Sequence, residues 1–207
     1  MRSLIIALGL LLPTLATADP GYFRVTGVAA DDTLNVRSGP SASATDIGDL
    51  PANATAIEIA GTDPSGRWGQ IVWEEGDGWV SMRFLTPDSV PRITGTALPA
   101  GLMCSGTEPF WSMRLSQDDA VYSNIEGAIY PMSIRGAQVA EGRPNFPVHI
   151  GYAGAGASGN VVIAPESCSD GMSDRDYPWR IELLLGTEGG RRFQLGCCQL
   201  PLEVGFH

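Results

Sequence analysis

The chain has 207 residues and a formal net charge of −10 at pH 7. This acidic balance argues against nucleic acids and anionic membrane surfaces as partners, because both repel a negatively charged chain. Glycine (26 residues) and proline (15 residues) are abundant. Apolar and polar residues also alternate repeatedly, which favours short strands and tight turns over helices. We therefore expect an all-β protein.

Residues 1–18 have the three-part layout of a cleavable secretory signal peptide. Arg2 precedes the apolar run 4–12, and the small residues 16–18 follow. The run has about 9 apolar residues, whereas a transmembrane helix needs roughly 18 or more. We expect cleavage after Ala18 and a mature chain of 207 − 18 = 189 residues with a net charge of 12 − 23 = −11. The predicted location is the periplasm or the medium, with no membrane insertion after cleavage.

The segment 19–86 reads as a small β-domain of short strands separated by turns. In the stretch ATAIEIAG, Ile57 and Ile59 are two residues apart. Side chains alternate between the faces of a strand, so these two are predicted to line one face, with Glu58 on the other. A unit of about 65 residues is close to the lower limit for independent folding, so most of its aromatic side chains are expected in its core.

Residues 22–86 resemble the bacterial SH3-like (SH3b) domain. The resemblance rests on several spaced elements in the expected order, namely LNVRSGP at 34–40, Ile47-Gly48, Leu50, the strand that begins at Trp68, and Gly78-Trp79-Val80. It implies a barrel of five to six strands. Domains of this kind commonly accompany proteins that act on the cell wall, and they can bind peptidoglycan peptides.

The resemblance suggests a ligand-binding groove in this domain. We predict that Asp31, Asp32, Asn35 and Trp68 contribute to it. The alternative is purely structural: aromatic residues supply much of the buried area in so small a domain, so Trp68 would only help to build the barrel.

Residues 87–100 are predicted to be a linker, because three prolines interrupt a stretch that has little periodicity. All four cysteines follow this stretch. The segment 101–207 shows about seven or eight short strands, which predicts a disulfide-stapled small β-barrel or sandwich.

Four cysteines in an exported chain indicate two disulfides. Cys197 and Cys198 are adjacent in a predicted strand, where successive side chains leave opposite faces. They are therefore badly placed to bond each other. We predict that one of them pairs with Cys104 and the other with Cys168, and the sequence does not decide which.

This second segment also resembles an uncharacterised family of exported proteobacterial proteins, marked by a Cys-x-Gly-x-Glu-Pro-Phe-Trp element. The matching residues are CSGTEPFWS at 104–112, CSDGMSD at 168–174, and Gly196-Cys197. The resemblance implies a stapled β-domain in the cell envelope and no particular chemistry.

The sequence offers no set of residues for catalysis. It contains only two histidines, His149 and His207, which is too few for a usual zinc site and leaves Cys168 without an evident base. We expect neither an enzyme nor a cofactor. Paired carboxylates of the glycosidase kind are not excluded by sequence, but nothing selects a pair.

The stretch CSDGMSDRDYPW, residues 168–179, is the most polar part of this segment. Its spacing does not fit an EF-hand, although an irregular calcium loop through Asp170, Asp174 and Asp176 stays open. The favoured interpretation is a tight polar turn fastened by Cys168, because Asp and Ser side chains bond nearby backbone amides.

The sequence thus predicts a non-catalytic exported protein of the bacterial envelope. Its SH3-like domain would recognise a cell-wall peptide or a protein partner. In the alternative, the second domain inhibits or senses an envelope enzyme such as lysozyme, inserting Glu108 or the 168–179 stretch into a basic cleft.

Overall fold

Two groups of antiparallel strands make up the computed structural model, which describes residues 20–202. The predicted signal segment and its cleavage site after Ala18 lie outside the described residues. In this part of the chain, no helix has the length and apolar character needed to span a bilayer. The predicted all-β fold class is confirmed.

The N-terminal group forms a three-stranded sheet, β4-β1-β8, and a five-stranded sheet, β3-β2-β7-β6-β5. Its strands are β1 (Gly21–Val25), β2 (Thr33–Arg37), β3 (Asp46–Pro51), β4 (Ile57–Ile59), β5 (Gly61–Thr62), β6 (Trp68–Trp73), β7 (Gly76–Ser81) and β8 (Leu85–Pro87), with a 3₁₀ turn at Met82–Phe84 between the last two. Both sheets contribute to one apolar core, which includes Val36, Leu50, Ile57, Ile71 and Val80.

Two glycines of the SH3-like sequence elements, Gly48 and Gly78, have a packing role in this core. A side chain at Gly78 would overlap Val36, and one at Gly48 would overlap the Trp73 ring. Both positions therefore require the absence of a Cβ, because a core side chain packs directly against the backbone there.

The C-terminal group forms a closed barrel of eight antiparallel strands. They are β9 (Leu102–Thr107), β10 (Phe110–Leu115), β11 (Asp119–Asn124), β12 (Ile129–Val139), β13 (Val148–Gly154), β14 (Ala157–Cys168), β15 (Tyr177–Thr187) and β16 (Gly190–Gln199). Each strand pairs with the next along the chain, and β16 returns to β9. The interior is packed with apolar and aromatic side chains, as expected for a barrel of this size.

A short pairing between β9 and β16, together with one disulfide, closes the barrel. Strands β9 and β16 share only three register pairs, one of which is Cys104 opposite Cys198. These two cysteines are bonded, with their Cα atoms 4.0 Å apart, and both are fully buried. Cys197 points to the outer side of the same strand and bonds Cys168. The adjacent cysteines thus bond different partners, as their alternation along the strand requires.

The proline-containing segment 87–100 packs against the barrel. Ile93 and Leu98 are fully buried in the barrel core, and the amide of Ile93 donates to the carbonyl of Leu98 at 3.0 Å. Of the prolines that suggested a linker, Pro87 is the last residue of β8 and Pro99 pairs with Arg92 in an isolated β-bridge. This segment is therefore packed structure that leads into β9, and it does not behave as a free connection.

One end of the barrel rests on the N-terminal domain through the Glu58 carboxylate. The Trp179 indole N–H donates to Glu58 Oε1 at 2.7 Å, and the Leu200 amide donates to Oε2 at 2.7 Å. From the N-terminal domain itself, the Tyr22 hydroxyl donates to Oε1 at 3.3 Å. Glu58 lies on the face opposite Ile57 and Ile59, as predicted, but that face is covered by the second domain.

Burial raises the pKa of Glu58 to about 7, against the opposing effect of the three hydrogen bonds. A carboxyl group with a raised pKa in the folded state binds its proton more tightly there than in the unfolded chain. Its contribution to stability is complete below the unfolded value near 4.5 and is lost as the pH rises through about 7.

Removing the two disulfides separately is expected to give unequal losses of stability. The Cys104–Cys198 bond joins residues 94 apart, and the Cys168–Cys197 bond joins residues 29 apart. Loop-closure entropy then predicts a loss of about 4.7 kcal/mol for C104S/C198S and about 3.6 kcal/mol for C168S/C197S. Urea unfolding of both double variants measures the difference. A smaller loss for C104S/C198S would show that barrel closure does not depend mainly on the seam disulfide.

The Glu58→Gln variant should lower the pH dependence of the free energy of unfolding. For the native protein, the free energy of unfolding should fall between pH 5 and pH 8 by at most about 3 kcal/mol from this group. Glu58→Gln should flatten that slope, because an amide does not titrate. The matched control is Glu188→Gln, an exposed side chain in the turn between β15 and β16 that forms no ion pair within residues 20–202. Equal slopes for Glu58→Gln and the native protein would contradict the assignment to Glu58.

Candidate functional site

The N-terminal domain carries a shallow pocket of about 570 Å³ between two of its loops. One side is formed by residues 28–33 and the other by residues 51–53. Asp31 and Asp32 are both exposed at its rim. The walls are small and partly apolar, with Val28, Pro51 and Ala52 among them. The pocket therefore combines a short apolar surface with two carboxylates that face solvent.

Local hydrogen bonds fix the acidic side of this pocket. The Thr33 amide donates to Asp32 Oδ1 at 2.8 Å, and the Thr33 hydroxyl donates to Asp49 Oδ1 at 2.6 Å. The start of β2 is thereby tied both to the preceding loop and to β3. Asp31 makes no comparable side-chain bond within residues 20–202, so its carboxylate remains available to a ligand.

The structure brings together two of the four predicted site residues. Asp31 and Asp32 line the pocket, whereas Asn35 and Trp68 do not. Asn35 is half-buried on β2, where its side-chain amide donates to Asp46 Oδ2. Trp68 is half-buried at the start of β6, which is separated from β2 by β7 in the sheet order. Any groove that used Trp68 would therefore have to extend across the sheet.

The polar stretch 168–176 is occupied by bonds within its own turn. Asp170 Oδ1 accepts from the amides of Met172 and Ser173, at 2.9 and 2.8 Å. Its Oδ2 accepts from the hydroxyls of Ser173 and Tyr177, at 2.9 and 3.1 Å. Partial burial acts to raise the pKa of Asp170, but these hydrogen bonds outweigh it and lower the pKa.

The same stretch also binds the β6–β7 hairpin of the N-terminal domain through an ion pair and hydrogen bonds. Arg175 forms an ion pair with Glu75 at 3.1 Å and donates to the Glu74 carbonyl. The Asp174 amide donates to the Glu75 carbonyl at 3.1 Å, and the Asp176 amide donates to Asp77 Oδ1 at 3.0 Å. The stretch is therefore a polar clasp between the two domains.

The side chains of Asp170, Asp174 and Asp176, considered above as calcium ligands, are not grouped around a common point. Within residues 20–202, no three or more His, Cys, Asp or Glu side chains are grouped so that they could hold a metal ion. Asp170 serves the turn, and Asp174 and Asp176 contribute backbone amides to the clasp. The arrangement of the stretch is explained by these contacts alone.

A second concave surface lies on the outer wall of the barrel, near the Cys168–Cys197 bond. It encloses about 600 Å³ and is lined by Glu108, Arg180, Phe193, Leu195 and residues 167–170, among others. Glu108, in the turn between β9 and β10, is exposed. Hydroxyl groups of Ser105 and Thr107 add polar character. This groove is a candidate surface for contact with another molecule.

Sequence reasoning missed the residues that join the domains. A glutamate between two apolar strand residues reads as solvent-facing, and nothing near Glu58 in the chain indicates that Trp179 and Leu200 will cover it. The ion pair of Arg175 with Glu75 joins residues 100 positions apart, and nothing near Arg175 in the chain indicates it. Alternation assigned the correct face to Glu58, but it carries no information about what packs on that face.

The comparisons with known proteins bear on the N-terminal domain. Residues 32–86 match the family model described as the bacterial SH3 domain. Neither the comparison with curated proteins nor that with solved structures returned a match. The resemblance predicted for the C-terminal segment stays a prediction. The match at 32–86 confirms the predicted resemblance there and favours a binding role, since this part of the chain is similar to the bacterial SH3 domain.

Proposed function

We propose that this protein is a non-catalytic, exported binding protein of the bacterial cell envelope, whose SH3 domain recognises cell-wall peptide. The observation that carries the proposal is the pocket at residues 28–33 and 51–53. Its residues 32–33 and 51–53 lie within the range matched by the family model, and residues 28–31 directly precede that range. Its lining residues are distinct from those that contact the barrel at Glu58 and at the β6–β7 hairpin. Docking of the second domain therefore leaves this pocket accessible.

The chemistry of the pocket favours a short peptide with a positively charged amino group. Asp31 and Asp32 would attract the amino group, and the apolar surface of Val28 and Pro51 would contact the aliphatic part of the ligand. Cell-wall stem peptides carry free amino groups on their diamino acid residues. An exposed charge pair mainly sets specificity and association rate, so the binding should weaken as salt increases.

The state of the cysteines supports both parts of the proposal. All four are joined in two disulfides, which is typical of proteins that fold in an oxidising compartment such as the periplasm. None of them is then available as a thiolate nucleophile. His149, the histidine within residues 20–202, lies on the outer face of β13, where its Nε2 is 2.9 Å from Asn160 Oδ1. The cysteines and His149 therefore do not form a nucleophile and base pair.

The second candidate function is inhibition of an envelope enzyme by the C-terminal domain. Of its two proposed contact points, the 168–176 stretch is engaged by the N-terminal domain, so Glu108 remains the favoured one. Glu108 is exposed at the end of a hairpin and borders the groove of about 600 Å³. A projecting carboxylate of this kind suits a basic cleft such as that of a lysozyme.

Sedimentation of the full chain with purified peptidoglycan tests the first proposal. The variant Asp31→Asn with Asp32→Asn should retain the fold and lower the bound fraction several-fold, because the amides keep the shape and lose the charge. The matched control is Asp119→Asn, an exposed carboxyl on β11 of the barrel. The proposal fails if the native chain stays in the supernatant, or if both variants lose binding equally.

Lysozyme assays separate the second candidate from the first. If the C-terminal domain inhibits the enzyme, added native protein should slow lysis of cell-wall substrate, and Glu108→Gln should restore most of the activity. Asp31→Asn with Asp32→Asn should inhibit as the native protein does, because those residues lie in the other domain. Unchanged lysis at high micromolar protein would exclude inhibition of that enzyme.

Release of soluble fragments tests the absence of catalysis. Incubation of purified peptidoglycan with the native chain should release no new muropeptides over the background of buffer alone. Chromatography of the supernatant measures this directly. Fragments that accumulate in proportion to protein concentration would identify an enzyme and overturn the non-catalytic proposal.

A further inference from the structure

The two disulfides differ in their access to solvent. Cys104 and Cys198 are both 0% exposed, and their bond lies in the barrel core. Cys168 is part-exposed at the end of β14, whereas its partner Cys197 is only 1% exposed. Thiol–disulfide exchange requires a thiolate to reach one sulfur of the bond. Of the two bonds, the one at Cys168 meets this requirement while the barrel stays folded.

The groove on the outer wall of the barrel provides a route to this bond. Cys168 and Cys197 both line it. Its volume of about 600 Å³ falls within the range of about 300–1,000 Å³ that is typical of pockets for small molecules. Phe193 and Leu195, which are 65% and 52% exposed, add apolar surface to the same groove. A thiol and the group that carries it can therefore be accommodated beside Cys168.

The strand register places a positive charge beside the sulfur that would leave. Attack on the part-exposed Cys168 breaks the bond and releases Cys197 as a thiolate. Arg180 of β15 is directly opposite Cys197 of β16, and opposite residues of antiparallel strands project to the same face. Both residues line the groove. A neighbouring guanidinium favours a thiolate, and a stabilised thiolate leaves faster.

The ion pairs that Arg180 already makes are weak. Its guanidinium is 3.7 Å from Glu166 Oε1 and 3.5 Å from Glu182 Oε1, and all three side chains are at least 40% exposed. Exposed pairs of this kind are screened by water. The guanidinium can therefore turn toward a new negative charge on Cys197. Without it, the two carboxylates would oppose that charge.

We propose that the Cys168–Cys197 bond is a thiol–disulfide exchange site for a dithiol reductant, and that the Cys104–Cys198 bond is permanent. The first thiolate of the reductant attacks Cys168 Sγ, which forms a mixed disulfide and releases the Cys197 thiolate. The second thiol then attacks the reductant's own sulfur in the mixed disulfide and releases Cys168. The reductant becomes a disulfide, the cysteine pair gains two electrons, and the two protons of the dithiol pass to the two cysteines.

The reduced form keeps the features that hold the barrel together. The Cys104–Cys198 bond remains across the seam between β9 and β16. The reduced Cys168 thiol has an acceptor in the Gly196 carbonyl oxygen, which lies 3.4 Å from Sγ. What is lost is the covalent tie between β16 and the start of the polar stretch 168–176. The bond can thus open and form again in the folded protein.

Reduction of the native full chain by dithiothreitol tests the selectivity. Samples are alkylated at successive times, and mass mapping measures the labelled fraction of each cysteine. Cys168 should be labelled at least about tenfold faster than Cys104, because its bond is reached from the groove. Cys104 is the internal control, and circular dichroism should show the fold retained. Labelling of Cys104 at the same rate or faster overturns the proposal.

A monothiol identifies the sulfur that is attacked. Reduced glutathione should form its mixed disulfide with Cys168, and rapid alkylation should trap the released thiol of Cys197. Tandem mass spectrometry locates both modifications. Glutathione found on Cys197, with alkylation at Cys168, would show that the bond is attacked from the other side and would overturn the proposed direction.

The variant Arg180→Gln tests the role of the guanidinium. It should slow reduction by dithiothreitol several-fold and raise the pH at which Cys197 of the partly reduced chain is half-reactive to iodoacetamide. The control is Arg191→Gln, which removes the same charge at an exposed position of β16 outside the groove, and it should behave as the native chain does. Equal pH midpoints for Arg180→Gln and the native chain overturn the assignment of Arg180 to the departing thiolate.

Discussion

The relation between the two domains depends on one buried carboxylate. Transfer of Glu58 out of water is unfavourable unless its oxygens accept hydrogen bonds, and those bonds come from Tyr22, Trp179 and Leu200. Two of the three donors belong to the C-terminal part of the chain. Separating the domains would leave the Trp179 N–H and the Leu200 amide without this acceptor, so the structure favours one fixed arrangement.

The polar stretch 168–176 reinforces that arrangement from a second side. Glu58 sits at the end of the barrel, whereas Arg175 holds the hairpin that carries Glu74 and Glu75. Because Cys168 is bonded to Cys197, the stretch is anchored to the barrel while it reaches the SH3 domain. Two contacts at separate points resist rotation as well as separation.

The closure of the barrel has a different consequence for the surface. The seam between β9 and β16 is short, and the fully buried disulfide between Cys104 and Cys198 lies within it. With the seam secured at that end, the rest of β16 need not pair with β9 to keep the barrel closed. Beyond the seam, Phe193 and Leu195 lie beside Glu108 in the groove on the outer wall of the barrel.

The sequence by itself determined the elements that depend on neighbours in the chain. Strand alternation predicted the all-β class, the opposite faces of Cys197 and Cys198, and the shared face of Ile57 and Ile59. The spaced SH3 elements predicted the domain that the family match then identified. Tertiary structure alone decided a closed barrel in place of a sandwich, the burial of Glu58, and the pairing of Arg175 with Glu75. Those outcomes bring together residues about 100 or more positions apart, and local periodicity carries no signal for such contacts because it records only which face a side chain occupies.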